Sequence, residues 1–480
     1  MRAERGALDR RQLLSMAAGL AVLPAGLVPS PALAASVPLR VIAKNPPKAK
    51  RTLRVPESYP TVEAALAAAR PGDHVSLRDG TYPGDRVWTA SGSASGHIVV
   101  KARNWHKVVF TGRIQIRSPY LWLHALRTSF MGPDPDPALS DTRPNDDYAI
   151  GIRASHVRIT RCVIASLGGV RIYDASPELA DVIIAYNDFV GSRPYRYLGS
   201  QLFIGDVRVR SMGPTDVDIA YNYFDDSEPH RTILPDGSPA PLNERFNIYL
   251  GNSKPGDEPT GVNLSIRVHH NVIRGNRAMA IYMKRHVYIG FNYVDTVSPP
   301  HYQYQVGFRH GGGASGRGGI IEGNRIAGSG IFVNDTGARV LGNVVTNGGS
   351  IRLYCGAGSW KSDLGRYVYL MQAASDTLLV GNSVPTYALG EFKPTPANQV
   401  MLAGEGGRLA RVRIHMAGRG TAASAVYRPN VPLPDATRQP GTYTTPYDPA
   451  SILIDPSGTG GYAFPTAVTS TLRTLVGANA

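Results

Sequence analysis

The chain has 480 residues, 42% of them hydrophobic and 52 of them glycine, and a net charge of +15. This length is too great for a single globular core, whereas a solenoid adds core one repeat at a time. Beyond an N-terminal apolar run, the sequence has no stretch of about 18 apolar residues that could span a membrane.

The positive charge is spread along the chain, without a basic stripe on a helix. This pattern disfavours nucleic acid as a partner, and in an exported protein it favours an acidic polysaccharide or a cell wall. An arginine-rich composition explains the total charge equally well, because 42 of the 51 basic residues are Arg and nine are Lys. A lysine within a motif is therefore more informative than an arginine.

The N-terminus has the features of a targeting signal. Arg10-Arg11 precedes an apolar run over 17–28 and a small-residue triplet at 32–34. This order resembles a twin-arginine signal peptide over 1–35, which implies a folded protein secreted by a bacterium. A transmembrane anchor is the alternative, but the apolar run is short and prolines interrupt it. We expect no membrane insertion once the signal is removed.

A linker, a helix and a strand follow the signal. Residues 36–50 are rich in Pro and Lys and are typical of a linker. An alanine-rich stretch between Pro60 and Pro71-Gly72 predicts a short helix. It leads into a strand-like run over 75–82 that contains an Asp-Gly turn. A short helix directly before a strand is the expected cap for the exposed terminal rung of a solenoid.

Short runs of β-formers that end in asparagine recur along the chain. The asparagines are Asn187, Asn222, Asn271, Asn292, Asn324, Asn343 and Asn382, and an eighth run carries Cys162 at the same place. Such repeats predict an all-β solenoid of parallel strands, in which stacked asparagines hydrogen-bond from one rung to the next. We also expect each Asn to adopt the left-handed backbone conformation that it tolerates.

The repeats assign residues 51–390 to a parallel β-helix domain. Residues 391–480 lose the pattern, which leaves irregular last coils, a small β cap and a partly disordered tail as alternatives.

Cys162 and Cys355 are far apart, lie in β-like runs and have no zinc spacing, so both are expected to be buried free thiols. Insertions in a solenoid leave on one face, which is often the binding face. They lie at 131–147, 191–200, 226–245 and 295–305.

The densest set of motifs occupies 243–253, 277–285, 306–311 and 318–324. This order of motifs, with Phe-Arg-His-Gly in the third, resembles polysaccharide lyase family 6, the chondroitinase B and alginate lyase group. The helix, Pro-Gly-Asp turn, strand and Asp-Gly-Thr-Tyr run near the N-terminus resemble the opening of the same family. The resemblance covers roughly 55–345. It implies a right-handed parallel β-helix, which agrees with the asparagine repeats.

The resemblance also implies cleavage of a uronate-containing polysaccharide by β-elimination. This reaction needs a cation at the uronate carboxylate, a base for the C5 proton and an acid for the leaving oxygen. By position, the family's base falls on Lys284 and its acid on Arg309, with Arg277 and Arg285 able to depress the pKa of the lysine. The expected substrate-binding residues are Asn243, Arg277, Tyr282 and His310.

Each assignment has a structural alternative. Lys284 can be a solvated lysine at a strand end, and Arg309 can be a structural arginine beside a glycine-rich turn. His310 is better suited to stabilising a rung or orienting the substrate than to catalysis. The interval from Lys284 to Asn292 is one residue shorter than in the family, so either a turn is shortened, which we favour, or Met283 takes the place of the lysine.

The family's calcium site is altered. Its two acidic ligands fall on Arg277 and Met279, and Asn243 alone cannot supply the six to eight oxygens that calcium requires. We therefore expect no metal and no cofactor, with Arg277 neutralising the substrate carboxylate in place of the ion. Tyr249 replaces a family arginine, so the substrate preference can differ as well.

Two other functions remain open from the sequence. A β-helix glycoside hydrolase would use two carboxylates. The candidates are Asp174, Asp206, Asp225, Asp226 and Asp335, and none forms a paired motif. A non-catalytic β-helix that binds a cell-wall or capsular glycan would also account for the missing acids.

Overall fold

A computed structural model describes much of the chain from residue 39 onward. The described residues are 39–84, 86–129, 148–165, 168–173, 179–190, 202–204, 215–226, 247–250, 266–275, 277–281, 287–295, 306–310, 319–328, 330–333, 337–347, 351–361, 367–373, 377–384, 386–393, 400–402, 413–415, 424–427 and 453–455. Within them lie one helix, α1 (Val62–Ala68), and 38 strands.

The strands are numbered in chain order. The first group is β1 (Thr52–Val55), β2 (His74–Leu77), β3 (Gly80–Tyr82), β4 (Arg86–Trp88), β5 (Ile98–Ala102), β6 (Val108–Phe110), β7 (Ile114–Ile116), β8 (Leu121–His124), β9 (Arg127–Thr128), β10 (Tyr148–Ile152), β11 (Val157–Thr160), β12 (Val163–Ile164) and β13 (Gly168–Ile172). The second is β14 (Ala180–Ala185), β15 (Asp188–Val190), β16 (Leu202–Ile204), β17 (Thr215–Ala220), β18 (Tyr223–Asp226), β19 (Ile248–Leu250), β20 (Ile266–His269), β21 (Val272–Gly275), β22 (Arg277–Ile281), β23 (Val287–Gly290), β24 (Tyr293–Asp295) and β25 (Val306–His310). The third is β26 (Ile320–Glu322), β27 (Arg325–Ala327), β28 (Gly330–Val333), β29 (Arg339–Leu341), β30 (Val344–Thr346), β31 (Ile351–Lys361), β32 (Tyr367–Ala373), β33 (Leu378–Val380), β34 (Thr386–Lys393), β35 (Val400–Leu402), β36 (Arg413–His415), β37 (Ser424–Tyr427) and β38 (Leu453–Asp455).

These strands form three long sheets that wind as a solenoid. Sheet 1 has the order β1-β2-β5-β8-β11-β14-β17-β20-β23-β26-β29-β33-β36-β38, and sheet 2 has the order β3-β6-β9-β12-β15-β18-β21-β24-β27-β30. Sheet 3 runs β4-β7-β10-β13-β16-β19-β22-β25-β28-β31-β32-β35, with β34 beside β31 and β37 beside β34. From β5 to β31 the chain visits sheets 1, 2 and 3 in turn, and neighbouring strands pair in parallel. The predicted parallel β-helix is thus confirmed, and β35 to β38 extend its sheets into 391–480.

The core consists of aliphatic stacks that run along the solenoid. In sheet 3, Ile150 pairs with Val170 and Ile152 with Ile172, and each side chain is at most 1% exposed. The parallel register places each side chain directly above the equivalent side chain of the next coil, so the same type of residue recurs at that position in successive coils. Each buried side chain of this size contributes about 1.5–3 kcal/mol.

The asparagine ladder forms as predicted, and all seven asparagines are at most 4% exposed. Each of the first six donates from its backbone N and its Nδ2 to the Oδ1 of the next asparagine, at 2.9–3.0 Å. Each Nδ2 also donates to a strand carbonyl of the preceding coil at 2.8–3.0 Å. Cys162 heads the ladder, since its backbone N donates to Asn187 Oδ1 at 2.9 Å. Its thiol is buried and free, as expected, and burial raises the pKa of the thiol to about 12.

The expected left-handed conformation of the asparagines is wrong, because the residue before each Asn adopts it. These residues are Tyr186, Tyr221, His270, Phe291, Gly323, Gly342 and Gly381, with φ between 54° and 62°. A β-carbon in this region costs about 1–2 kcal/mol. Ring stacking offsets the cost where the residue is aromatic, as between Tyr186 and Tyr221, whose centroids lie 4.9 Å apart. At Gly323 a β-carbon would stand 2.4 Å from the Phe291 ring, so the stack ends in glycine.

The N-terminal end is closed by the predicted capping helix. Thr61 Oγ1 accepts a hydrogen bond from Ala64 N at 3.1 Å, and this N-cap fixes the start of α1. Val62, Ala65 and Leu66 are buried in the same core as β1 and β2. Within the described ranges, no helix is long and apolar enough to cross a membrane.

Candidate functional site

Two of the sequence motifs fall on neighbouring strands of sheet 3. β22 begins at Arg277, and β25 contains Arg309. The register places Arg277 beside Val306 and Ala280 beside Arg309. Adjacent strands lie about 4.8 Å apart. The two arginines therefore sit on adjacent coils, offset by three residues along the strand. Because the offset is odd, the position of Arg277 alternates with that of Arg309 and shares the parity of Met279.

The register also assigns each position to a row of sheet 3. Arg309 occupies the row of Tyr249, which is half-buried. His310 occupies the next row, in which the described residues Leu250 and Val333 are fully buried. The position of Arg309 thus belongs to the outer row of this sheet. The position of His310 belongs to a core row, which is the place of a rung-stabilising residue.

Met279 lies in a second core row. Its register neighbours include Ile248 on β19 and, one coil beyond β25, Ile331 on β28, both fully buried. An apolar residue is the rule in such a row, because an unpaired buried carboxylate is costly. The methionine therefore agrees with its register position.

The other candidate residues lie outside the described residues. Asn243 precedes β19, and Tyr282 and Lys284 follow β22, which ends at Ile281. The place of Lys284 beside Arg309, and the shortened turn that it requires, remain predictions.

The outer row of sheet 3 continues toward the N-terminus through Gln115, Gly151 and Arg171. At Gly151 a β-carbon would stand 2.6 Å from Gln115 Oε1, so a larger residue there would need the flexible Gln115 side chain to move. Arg171 is 1% exposed, and its guanidinium lies 5.3 Å from the Tyr148 ring centroid and 4.4 Å from that of Tyr173. This cation–aromatic cluster lies on the same sheet face about 19 Å, four strand spacings, from the Arg309 position. Sequence reasoning missed it because the coils differ in length, so no fixed spacing reveals the row.

A second polar cluster lies on the outer side of sheet 1, beside core strands β17 and β20. Arg267 Nε and Nη2 donate to the two oxygens of Asp218, each at 2.6 Å, and Nη2 also donates to Asp216 at 2.8 Å. Asp218 is fully buried and Arg267 is 6% exposed. Burial alone would raise the pKa of Asp218, but hydrogen bonds from Arg267 and His269 outweigh it and lower that pKa to about 2. The pair is bidentate and stays ionised, which makes it a structural clamp between two coils.

The segment predicted as a linker packs across this cluster. Arg40 pairs with Asp181 at 2.6 Å and with Asp218 at 2.9 Å. Ile42 packs against Ile183, Ala185 and Ala220. Residues 39–50, here called the N-terminal strap, therefore contact coils that are far away in sequence, whereas solenoid coils normally contact only their neighbours. The composition gave no signal for it, because its partners are spread over Asp181 to Asp218.

Sheet 2 contains Asp225, one of the carboxylates considered as catalytic residues of a glycoside hydrolase. Asp225 pairs in register with Arg274, which pairs in turn with Asp295. Tyr223 Oη donates to Asp225 at 2.9 Å. An arginine thus separates the two acids, as in the alternating charges that stabilise sheet surfaces. Asp226 is described only as a strand residue, and Asp174, Asp206 and Asp335 lie outside the described residues.

Comparison with known proteins gives one match to a family and several to solved structures. The family model described as Chondroitinase B matches residues 57–171. This segment is about a quarter of the chain and ends before β22 and β25. A search of curated proteins finds no match.

The solved structures that are similar to the chain include several family 6 lyases. A mannuronic acid specific polysaccharide family 6 lyase from human gut microbiota is 17% identical, over 89% of this chain and 99% of that one, with a TM-score of 0.42. The family 6 lyase Pedsa3628 from Pseudopedobacter saltans is 15% identical, over 87% and 94%, with a TM-score of 0.43. The alginate lyase AlyGC is 16% identical, over 86% and 53%, with a TM-score of 0.46.

These structural likenesses are too low to support a function, so the fold assignment depends on the strand pairing itself. The family match bears out the resemblance that the sequence motifs indicated. The chain is a parallel β-helix that is similar to chondroitinase B over residues 57–171.

Proposed function

We propose that the chain is a secreted polysaccharide lyase that cleaves a uronate-containing polysaccharide by β-elimination. The observation that carries the proposal is the register of β22 and β25, which brings Arg277 and the Arg-His-Gly motif onto adjacent coils of one sheet. The order of the motifs along the chain and the Chondroitinase B match support it. The net charge of +15 is favourable for an acidic polymer.

Each step of the elimination has a candidate residue. Lys284 removes the C5 proton of the uronate, and the electron pair moves to form the C4–C5 double bond as the glycosidic C4–O bond breaks. Arg309 stabilises or protonates the leaving oxygen. A lysine can act as this base only if neighbouring cations lower its pKa, and Arg277 and Arg285 are near it in sequence.

We propose that no calcium ion is needed. In the family the ion neutralises the uronate carboxylate, and its acidic ligands fall here on Arg277 and Met279. The register position of Met279 among buried aliphatic residues suits an apolar side chain rather than a ligand. Arg277 is the first residue of β22, and from this strand end its guanidinium can form a bidentate pair with the carboxylate and so make the C5 proton more acidic. An Arg277→Ala chain that retains full lyase activity would refute this role.

The test is a cleavage assay on alginate, dermatan, pectin and glucuronan, each with and without a chelator. Elimination creates an unsaturated uronate that absorbs ultraviolet light, so we expect absorbance to rise with at least one polymer and to be unaffected by the chelator. Reducing ends without absorbance would mean a glycoside hydrolase. Binding without either product would mean a glycan-binding protein. Loss of activity with the chelator would contradict the calcium-free site alone.

A further inference from the structure

An exposed tryptophan marks the corner where sheet 1 turns into sheet 2. Trp105 lies in the turn between β5 and β6 and is 51% exposed. The large hydrophobic residues exposed elsewhere in the described ranges are valines, Val41 and Val87. Sheet 3, with the candidate catalytic motifs, forms the third side of the coil, so Trp105 lies away from it.

An arginine from two coils away covers one face of this indole. The left-handed residues of successive corner turns are His106, Ala125 and Arg161. Ala125 has no long side chain, so Arg161 can reach past it, and its guanidinium carbon lies 3.2 Å from the Trp105 ring centroid. Asn45 of the N-terminal strap accepts a hydrogen bond from Arg161 Nη1 at 2.7 Å and holds this arrangement.

The stack leaves groups that suit a sugar and an anion. Trp105 is 51% exposed although Arg161 lies over its ring, and an exposed indole is a surface on which a sugar ring can stack. Arginine has five N–H donors and binds carboxylates in its plane while it stacks on an aromatic ring. Among the described residues, the Arg161 side chain contacts the Trp105 indole and the Asn45 amide, both of which are uncharged.

The surrounding charge is mostly positive. Lys107, two residues after Trp105, is exposed. Burial lowers the pKa of Lys44, and the positive charge of Arg161 lowers it further, so Lys44 lies near Arg161. The acidic residues of this corner are engaged with neighbours: Glu57 with Arg103, and Asp79 with Asn104.

We propose that Trp105 and Arg161 form a second glycan-binding site, for acidic polysaccharide, separate from the face that would carry catalysis. A sugar ring stacks on the exposed part of the indole, and a uronate carboxylate of the same chain pairs with the guanidinium, with Lys107 and Lys44 adding attraction. The site would hold a polymer on the enzyme between cleavage events. The choice of a uronate polymer rests on the proposed function, whereas the binding site itself does not.

The test is calorimetric titration of the full mature chain with size-fractionated alginate oligosaccharides, with dextran as the neutral probe. Every titration is run in a Lys284→Ala background, so that cleavage does not consume the probe. We expect Trp105→Ala and Arg161→Gln each to weaken oligosaccharide binding by about tenfold or more, which corresponds to the loss of one stacking or charge-assisted contact. Arg70→Gln, which removes an exposed arginine at the opposite end of the sheet 1 strands, should leave binding unchanged.

Several outcomes would overturn the inference. They are equal affinity with and without Trp105→Ala in the Lys284→Ala background, an effect of Arg70→Gln as large as that of Arg161→Gln, or equal binding of dextran. An unchanged melting temperature of each variant confirms that the fold is intact. Because binding is measured without turnover, a chain that proves inactive as a lyase but binds through Trp105 separates this inference from the proposed function.

Discussion

The asparagine ladder allows the sharpest prediction about the fold, at Asn271. Its Oδ1 accepts from Asn222 N at 2.9 Å and from Asn222 Nδ2 at 3.0 Å. Its Nδ2 donates to the carbonyls of Ile219 and His269 at 2.8 and 3.0 Å, and to Asn292 Oδ1 at 2.9 Å. The residue is 1% exposed, so water cannot replace these partners. Asn271→Ala would remove all of these contacts in one step.

The loss of stability caused by Asn271→Ala can be estimated from the buried polar groups that it leaves without partners. The substitution orphans the backbone N–H of Asn222 and the carbonyl of Ile219, and each unsatisfied buried group costs about 1–3 kcal/mol. We therefore expect the free energy of unfolding to fall by about 2–6 kcal/mol. Asn104→Ala is the matched control, because Asn104 is exposed and its side chain donates to Asp79 at 3.0 Å. A surface change of this kind costs at most about 0.5 kcal/mol.

The assay is urea-induced unfolding of both variants and the wild type, followed by circular dichroism. For Asn271→Ala we expect a lower midpoint with an unchanged slope, because stability changes while the surface exposed on unfolding does not. If Asn271→Ala costs no more than Asn104→Ala, the ladder adds nothing to stability, and the reasoning from buried hydrogen bonds is refuted.

Three further predictions concern the strap, the half-buried His97 and the Cys162 thiol. Arg40→Gln should lower the free energy of unfolding by about 1–3 kcal/mol, since it removes the cation that the strap adds to Asp181 and to the Asp218–Arg267 pair. An equal effect of Arg70→Gln on thermal unfolding would show that the strap contacts are not responsible. His97 is neutral in the fold because burial, above all, lowers its pKa to about 4 from 6.5. Because the pKa is lower in the folded state, the contribution of His97 to the free energy of unfolding is present above pH 6.5 and is lost as the pH falls toward 4. His97→Gln should therefore make the free energy of unfolding depend less on pH between 6.5 and 4. An unaltered pH dependence would contradict this. In a Cys355→Ser background, the buried Cys162 thiol, with a pKa of about 12, should not react with a thiol reagent until the chain unfolds. Rapid labelling of the native protein would contradict the burial of this thiol.

The sequence predicted the architecture because the fold repeats one local rule. Each Asn at the corner between sheets 1 and 2 can be recognised in the sequence. Its side-chain amide has one geometry that satisfies the hydrogen-bonding groups of the neighbouring coils. The left-handed residue was misassigned to the Asn, although Gly323, Gly342 and Gly381 stand directly before three of the asparagines and mark the true position. The aromatic residues at the other corners concealed this signal, since stacking compensates the strain there.

The site was less predictable because it depends on contacts across coils of unequal length. The register that brings Arg277 and Arg309 onto adjacent strands follows from strand pairing, which no spacing in the sequence fixes. The same holds for Arg161, which contacts a tryptophan two coils away only because Ala125 lies between them. The strap was read as a linker because Pro and Lys dominate it, whereas its docking depends on single residues such as Arg40.

The most direct test of the central claim is the mass of the product released from the best polyuronate. β-Elimination adds no water, so the new non-reducing end is an unsaturated uronate, and the fragment is lighter by one water than the product of hydrolysis. We expect the lighter product from the wild type and no product from Lys284→Ala. A product that contains the added water, or unchanged cleavage by Lys284→Ala, would contradict the account.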